Sequence, residues 1–226
     1  KILARTTAVA EHFDEIIRAL IAERRTAGDL APDDVTTELL RDTVDGRPLG
    51  DEEIVSILRN WTAGDLGSIA LCVGVLAQHL AADEALQSAW RDGLQSDELT
   101  SGIDEMLRID DPFVSNRRVT TRDVEVNRRT IPAGQRVVLN WTAANRDSEA
   151  VGDPDAFRPH ENAPHNLVYG AGPHVCPGRG LATLELRVVV EELLDATESV
   201  ALASDARPER EMPPVGGYRS VPVVLR

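Results

Sequence analysis

The segment Tyr169-Gly-Ala-Gly-Pro-His-Val-Cys-Pro-Gly-Arg-Gly-Leu-Ala182 gathers the residue types best able to do chemistry. One cysteine, Cys176, follows two glycines and precedes Pro177 and Gly178 at the start of a helical pattern. Backbone N–H groups and the dipole of a helix N-terminus favour a negative charge there, and such surroundings lower a thiol pKa. A thiolate so held is either a nucleophile or a metal ligand. Nucleophilic chemistry wants a histidine placed as base, and His174, two residues away along a loop, has poor geometry for it. Zinc wants three or four ligands, and Cys72, the other cysteine, sits mid-helix with no ligand neighbour. A lone thiolate among glycines that let a flat group approach suits haem iron better.

The elements that must position this loop read as mostly helical. Val9, Phe13, Ile16, Ile17, Leu20 and Ile21 recur at three and four spacings, and Gly28 stops that helix. From Asp29 to Glu53 there are nine acids against two arginines, read as solvated connections around a short helix from Val35 to Thr43. A long helix follows, with Asp51, Glu52 and Glu53 on its positive end and apolar residues from Ile54 to about Leu80. Gly64 and Gly67 interrupt it, at about 1 kcal/mol each relative to alanine, which predicts a distortion or a close approach there. Further helices are expected from Asp83 to Gly93 and from Glu98 to Ile109. Strands at Val124–Val126 and Val137–Leu139 are expected to flank a turn at Ile131–Gly134. A last helix spans Leu181 to Leu194, and Gly216-Gly217 is expected to turn between closing strands.

Composition bounds the partners. The chain has 226 residues, room for one or two domains and a sizeable core. Its 24 basic and 38 acidic residues give −14, with a pI near 4.8, which argues against nucleic acid and against docking on anionic lipid. Two cysteines build no disulfide framework, so a reduced cytoplasmic setting is expected. The longest apolar run, Ile69 to Leu76, is far short of the ~20 residues of a membrane span, and no signal peptide is visible.

The loop resembles the cysteine-ligand loop of the cytochrome P450 family, Phe-x-x-Gly-x-(Arg/His)-x-Cys-x-Gly followed by Leu-Ala. It matches at Gly172, His174, Cys176, Gly178, Leu181 and Ala182, with Tyr169 in place of phenylalanine. Glu105-Met-Leu-Arg108, Ile131-Pro-Ala-Gly134, Ala144-Asn-Arg-Asp147, Asp153-Pro-Asp-Ala-Phe157 and Ala63-Gly64 match other family segments in order. The resemblance implies a mainly α fold with small β-sheets, the C-terminal half of a soluble bacterial P450 haem domain, with the N-terminal half not in this chain. Residues 1–50 would be helices before the I helix, 51–82 the I helix, and 83–226 the J, K and L helices with the strands, meander and cysteine loop. It implies haem b (iron protoporphyrin IX) on Cys176. His174 and Arg118 would hold propionates, and Tyr169, Gly170, Gly178 and Ala182 would line the haem. Monooxygenation of a small organic molecule by O2, with electrons from a ferredoxin-type donor, is the implied activity. Arg179 and Arg187 would form the donor's docking surface. Substrate contacts would come from Trp61, Ile69, Phe113, Val114, Val215 and Gly216. Glu105 and Arg108 would form a structural pair whose third member falls at Glu161, with Arg158 or His160 as substitutes.

One family feature is altered. The acid–alcohol pair that relays protons to bound dioxygen falls on Leu66 and Gly67, with Asp65 and Ser68 one position off. A 100° helical step turns a side chain to another face. A relay through Asp65 or Ser68 with help from Gly64 and Gly67, a relay through water, a peroxide-driven variant, and haem binding without turnover all remain open.

Overall fold

The computed structural model describes residues 2–93 and 96–226; Lys1, Leu94 and Gln95 lie outside it, as do the side chains of residues 2–6, Ala63 and Ser96. The chain forms two compact units, Lys1–Gly67 and Ser68–Arg226.

In the first unit, α1 (Ile2–Ala27) ends where Gly28 takes φ +55°. Helix α2 (Val35–Arg41) starts on Asp34, whose carboxylate accepts the Thr37 N–H at 2.9 Å. It stops two residues before the expected Thr43, which enters the two-residue strand β1 (Thr43–Val44) paired with β2 (Arg47–Pro48). Ile17, Ile21, Ile54 and Val55 make a small core. The acidic connection is less free than its composition predicts: Arg25 pairs with Asp51, Arg24 with Asp34 and Arg18 with Glu52. Arg47 donates to Glu53 and, with the Gly50 N–H, pulls that carboxyl down to about 2.

Helix α3 (Asp51–Ala82) begins in this unit and continues into the second. By length and composition it is apolar enough to cross a membrane, although its unbroken apolar run extends only from Ile69 to Leu76. Beyond Ser68 its inward stripe, Cys72, Val75, Leu76 and Leu80, joins the core of the second unit. That core also takes Trp90 from α4 (Glu84–Arg91), Ile103, Met106 and Leu107 from α5 (Ser96–Ile109), and Leu186, Val190 and Leu194 from α9 (Arg179–Asp195). The short helices α6 (Trp141–Asn145), α7 (Ser148–Val151) and α8 (Pro159–Asn162) lie in the connection before the cysteine loop.

Strand pairing differs from expectation. The tight hairpin joins β4 (Val124–Val126) to β5 (Arg129–Ile131), with Asn127 and Arg128 at φ +48° and +64°. Two left-handed residues give the turn whose twist suits a hairpin. Val137–Leu139 lies within β6 (Arg136–Asn140), which pairs with β3 (Ser115–Val119) and not with Val124–Val126. The turn at Ile131–Gly134 instead carries the chain back to β3, the Gly134 N–H donating to Thr120 O at 2.8 Å. Short strands close the unit: β7 (Val200–Leu202) pairs with β10 (Val223–Leu225), and β8 (Glu209–Arg210) with β9 (Tyr218–Ser220).

Gly216-Gly217 forms the approach to β9, and its glycines have a packing reason. A Cβ on Gly216 would lie 2.4 Å from Asp111 O and 3.0 Å from the Pro112 carbonyl carbon. Backbone cannot yield as a side-chain tip does, so Gly216→Ala is expected to cost about 1–3 kcal/mol, read as a lower Tm.

Candidate functional site

Cys176 lies between a short 3-10 turn at Gly172–His174 and the start of α9. Its N–H donates to Tyr169 O at 2.9 Å, and left-handed Gly170 and Gly172 (φ +72° and +71°) fold the loop back on itself. The sulfur is half-buried and faces a cavity of about 340 Å³. Among the described residues no N–H donates to Cys176 Sγ, contrary to the expectation of a thiolate cradled by the helix start; the sulfur is left for a partner in the cavity. Gly178 keeps that side open, since a Cβ there would touch Sγ at 3.9 Å.

Arg118, His174, Tyr169, Gly170 and Ala182 line this cavity, and Gly178 is not among its lining residues. Ser68, Ile69 and Phe113 line it too. Arg118 projects from β3, its guanidinium donating to Arg117 O at 2.9 Å; His174 is exposed at the rim. Val114, Val215 and Gly216 line a separate hollow and are not brought to Cys176. Trp61, Gly64, Asp65 and Gly67 belong to the first unit, where Trp61 is half exposed and Leu66 is exposed. Helix α3 continues through both glycines, and a Cβ on either would meet nothing within 4 Å among the described residues.

Sequence reasoning missed Asn116, Trp141, Val168 and Leu186, which also line the cavity. Trp141 donates its indole N–H to Asn116, joining the start of α6 to β3. Only the β3–β6 pairing, which places Asn116 beside Leu139, brings these together. Cys72 is a further wall residue, and burial pushes its thiol up to about 12, so it stays a neutral packing group. Burial likewise raises Tyr169 to about 12; its ring stacks under the Arg179 guanidinium at 5.1 Å.

Glu105 and Arg108 are fully buried on α5. Arg108 donates to Glu105 from Nε at 2.7 Å and Nη2 at 2.9 Å, and to Asn145 O and Pro154 O. The third partner is not Glu161, nor the side chain of Arg158 or His160. It is the Asn162 amide, donating to Glu105 at 2.7 Å, together with the Arg158 N–H at 3.0 Å. A neutral amide satisfies the carboxylate without adding a second buried cation. Burial would raise the Glu105 pKa, but these hydrogen bonds outweigh it and hold the carboxyl below its usual range.

The donor set fits a haem. One soft sulfur without a hydrogen-bond partner faces an apolar slot walled by Ile69, Phe113, Val168 and Leu186. Arg118 and His174 stand at its edge, where a guanidinium and an imidazole meet carboxylates. No group of three or more ligating side chains gathers among the described residues.

The cytochrome P450 family model matches residues 83–215. The cyclomarin C epoxidase of Salinispora arenicola is 32% identical over 219 residues, covering 96% of this chain and 55% of that protein. The steroid C26-monooxygenase of Mycolicibacterium smegmatis is 32% identical over 215 residues, covering 94% of this chain and 52% of that protein. The chain thus spans about half the length of the curated relatives it matches. The open form of cytochrome P450 EryK from S. erythraea superimposes with a TM-score of 0.89 at 30% identity, over 99% of this chain and 56% of that one. With the cysteine loop, the buried Glu105–Arg108 pair and the fold in agreement, the chain belongs to the cytochrome P450 family.

Proposed function

We propose that this chain is the thiolate-bearing part of a haem monooxygenase that acts on an apolar organic molecule in the cytoplasm. Cys176 supplies the axial sulfur, Arg118 and His174 hold the carboxylates of haem b, and Tyr169, Gly170, Gly178 and Ala182 contact the macrocycle. A thiolate-ligated haem supplies O–O cleavage, so that one oxygen atom of O2 enters the substrate. Ile69 and Phe113 would meet the substrate, and Ser68 is the hydroxyl of α3 that faces the cavity and can hold a proton there. The carrying observation is the half-buried Cys176 sulfur, unpartnered and open to the cavity that Arg118 and His174 share. The relatives' names, an epoxidase and a steroid monooxygenase, support the reaction class.

A ferredoxin-type donor is part of the proposal. Arg179 and Arg187 would contribute to its docking surface, with Arg179 3.5 Å from Asp104 and Arg187 3.3 Å from Glu191. A second reading, peroxide-driven turnover or haem binding without turnover, is favoured by Leu66 and Gly67 standing at the acid–alcohol positions. Product formed with hydrogen peroxide but not with a ferredoxin system would select the peroxide route.

The deciding test is reduction of the purified haem-loaded protein followed by carbon monoxide. A red-shifted Soret band reports thiolate ligation. Bound haem without that band overturns the Cys176 assignment, and protein that binds no haem overturns the function. Arg118→Ala is expected to speed haem loss roughly 10–100-fold, the worth of a charged hydrogen bond of about 1.5–3 kcal/mol; transfer of haem to apomyoglobin measures it.

A further inference from the structure

Two walls of the Cys176 cavity are tied together through one buried side-chain pair outside it. Asp111 Oδ1 accepts the Phe113 N–H at 2.8 Å, and its Oδ2 accepts Asn145 Nδ2–H at 3.0 Å. Asn145 Oδ1 in turn accepts the Leu167 N–H at 2.7 Å. Phe113 lines the cavity, and Leu167 directly precedes Val168, which lines it too at the root of the cysteine loop. Asn145 is fully buried, Asp111 nearly so, and the Asn145 carbonyl accepts Arg108 at 2.8 Å.

The chemistry fixes the amide's direction. An ionised Asp111 only accepts and the Leu167 N–H only donates, so Asn145 must point Nδ2 at one and Oδ1 at the other. Asn145→Asp would set two carboxyl groups face to face, which repel at a pH where both are ionised. Asp111→Asn would set two N–H₂ groups face to face, and flipping either amide breaks a backbone bond instead. The exchange of the two, Asp111→Asn with Asn145→Asp, satisfies every group again: Asn Oδ1 takes Phe113 N–H, Asn Nδ2 donates to the new carboxylate, and that carboxylate takes Leu167 N–H.

We propose that Asp111 and Asn145 form a positioning brace that holds Phe113 against the root of the cysteine loop, and with it sets the size of molecule admitted above Cys176. The part of this that concerns ligand size rests on the haem reading; the brace itself does not.

The experiment compares the parent, both single variants and the exchange variant in two measurements. Amide hydrogen exchange at Phe113 and Leu167, which needs no haem, is expected to quicken about tenfold in each single variant and to return near the parental rate in the exchange variant. In haem-loaded protein, the ratio of affinities for imidazole and 4-phenylimidazole, read from the optical spectrum, is expected to shift several-fold in the single variants and to return in the exchange variant. A general loss of stability would weaken both probes alike, so an unmoved ratio overturns the size-setting role. An exchange variant as impaired as the single variants in amide exchange overturns the brace. If the single variants do not fold, the exchange variant decides alone: folding with parental exchange rates supports the brace, and failure to fold overturns it. Protein without haem would defeat the proposed function while the amide-exchange comparison still judged the brace.

Discussion

Replacing Cys176 with serine is expected to abolish the red-shifted carbon monoxide band and, on the proposed function, to reduce monooxygenase turnover to background. A neutral hydroxyl neither binds iron as a thiolate does nor pushes electron density toward it. Removing an outer-shell partner of a metal site typically costs about 10–100-fold, and losing the ligand itself costs more. The fold should survive, because Cys176 is only half-buried and lies outside the core. The variant should therefore unfold near the parental Tm when both are compared without haem. Cys72→Ser is the matched control: it changes the other cysteine, which is neutral and packed, and leaves the shifted band in place. A parental band in Cys176→Ser would mean that another residue ligates the iron.

Arg108→Ala destabilises the second unit by about 3–5 kcal/mol, the cost of leaving a buried charge uncompensated. At about 2–4 °C per kcal/mol, the Tm falls by roughly 6–20 °C, and haem uptake falls with it because Arg108 also holds Asn145 O and Pro154 O. Arg108→Lys recovers little, since a lysine offers one point charge where the guanidinium reaches three partners at fixed angles. The pH dependence has a definite sign. Glu105 is held below its unfolded value, so the stability it contributes is complete above about pH 4.3, the free carboxyl value. That contribution is lost as pH falls through the lower folded value. Glu105→Gln lacks this acid limb, so the gap between parent and Glu105→Gln narrows on acidification. Denaturant melts from pH 7 to 3 measure it, and a gap constant with pH would contradict the assignment.

Local patterns were legible wherever the physics is local. Helix ends follow from Gly28 and from Asp83, and the Glu105–Arg108 spacing puts both on one helical face. The cysteine loop was readable because its glycines and its sulfur lie within a few residues. Strand pairing was not: Val137–Leu139 has the same alternation whether it meets β3 or β4. Asn127-Arg128 also gives a weaker hairpin signal than the Pro-Ala-Gly that follows. The third partner of Glu105 was misplaced because the resemblance puts it at Glu161, one residue before the Asn162 amide that the fold brings to the carboxylate.

From sequence alone came a single cysteine among glycines, the family resemblance that points to Arg118 and His174, and a net charge of −14. Tertiary structure decided which residues stand together. It placed Ile69 and Phe113 beside Cys176 and sent Val114, Val215 and Gly216 to another hollow. It also made Asn162 and Asn145 the buried amides that complete the networks. The physical reason is range. A thiol's surroundings in a tight loop are set by its neighbours in the chain. A buried amide's value depends on groups dozens of residues away, and only folding brings those within hydrogen-bonding distance.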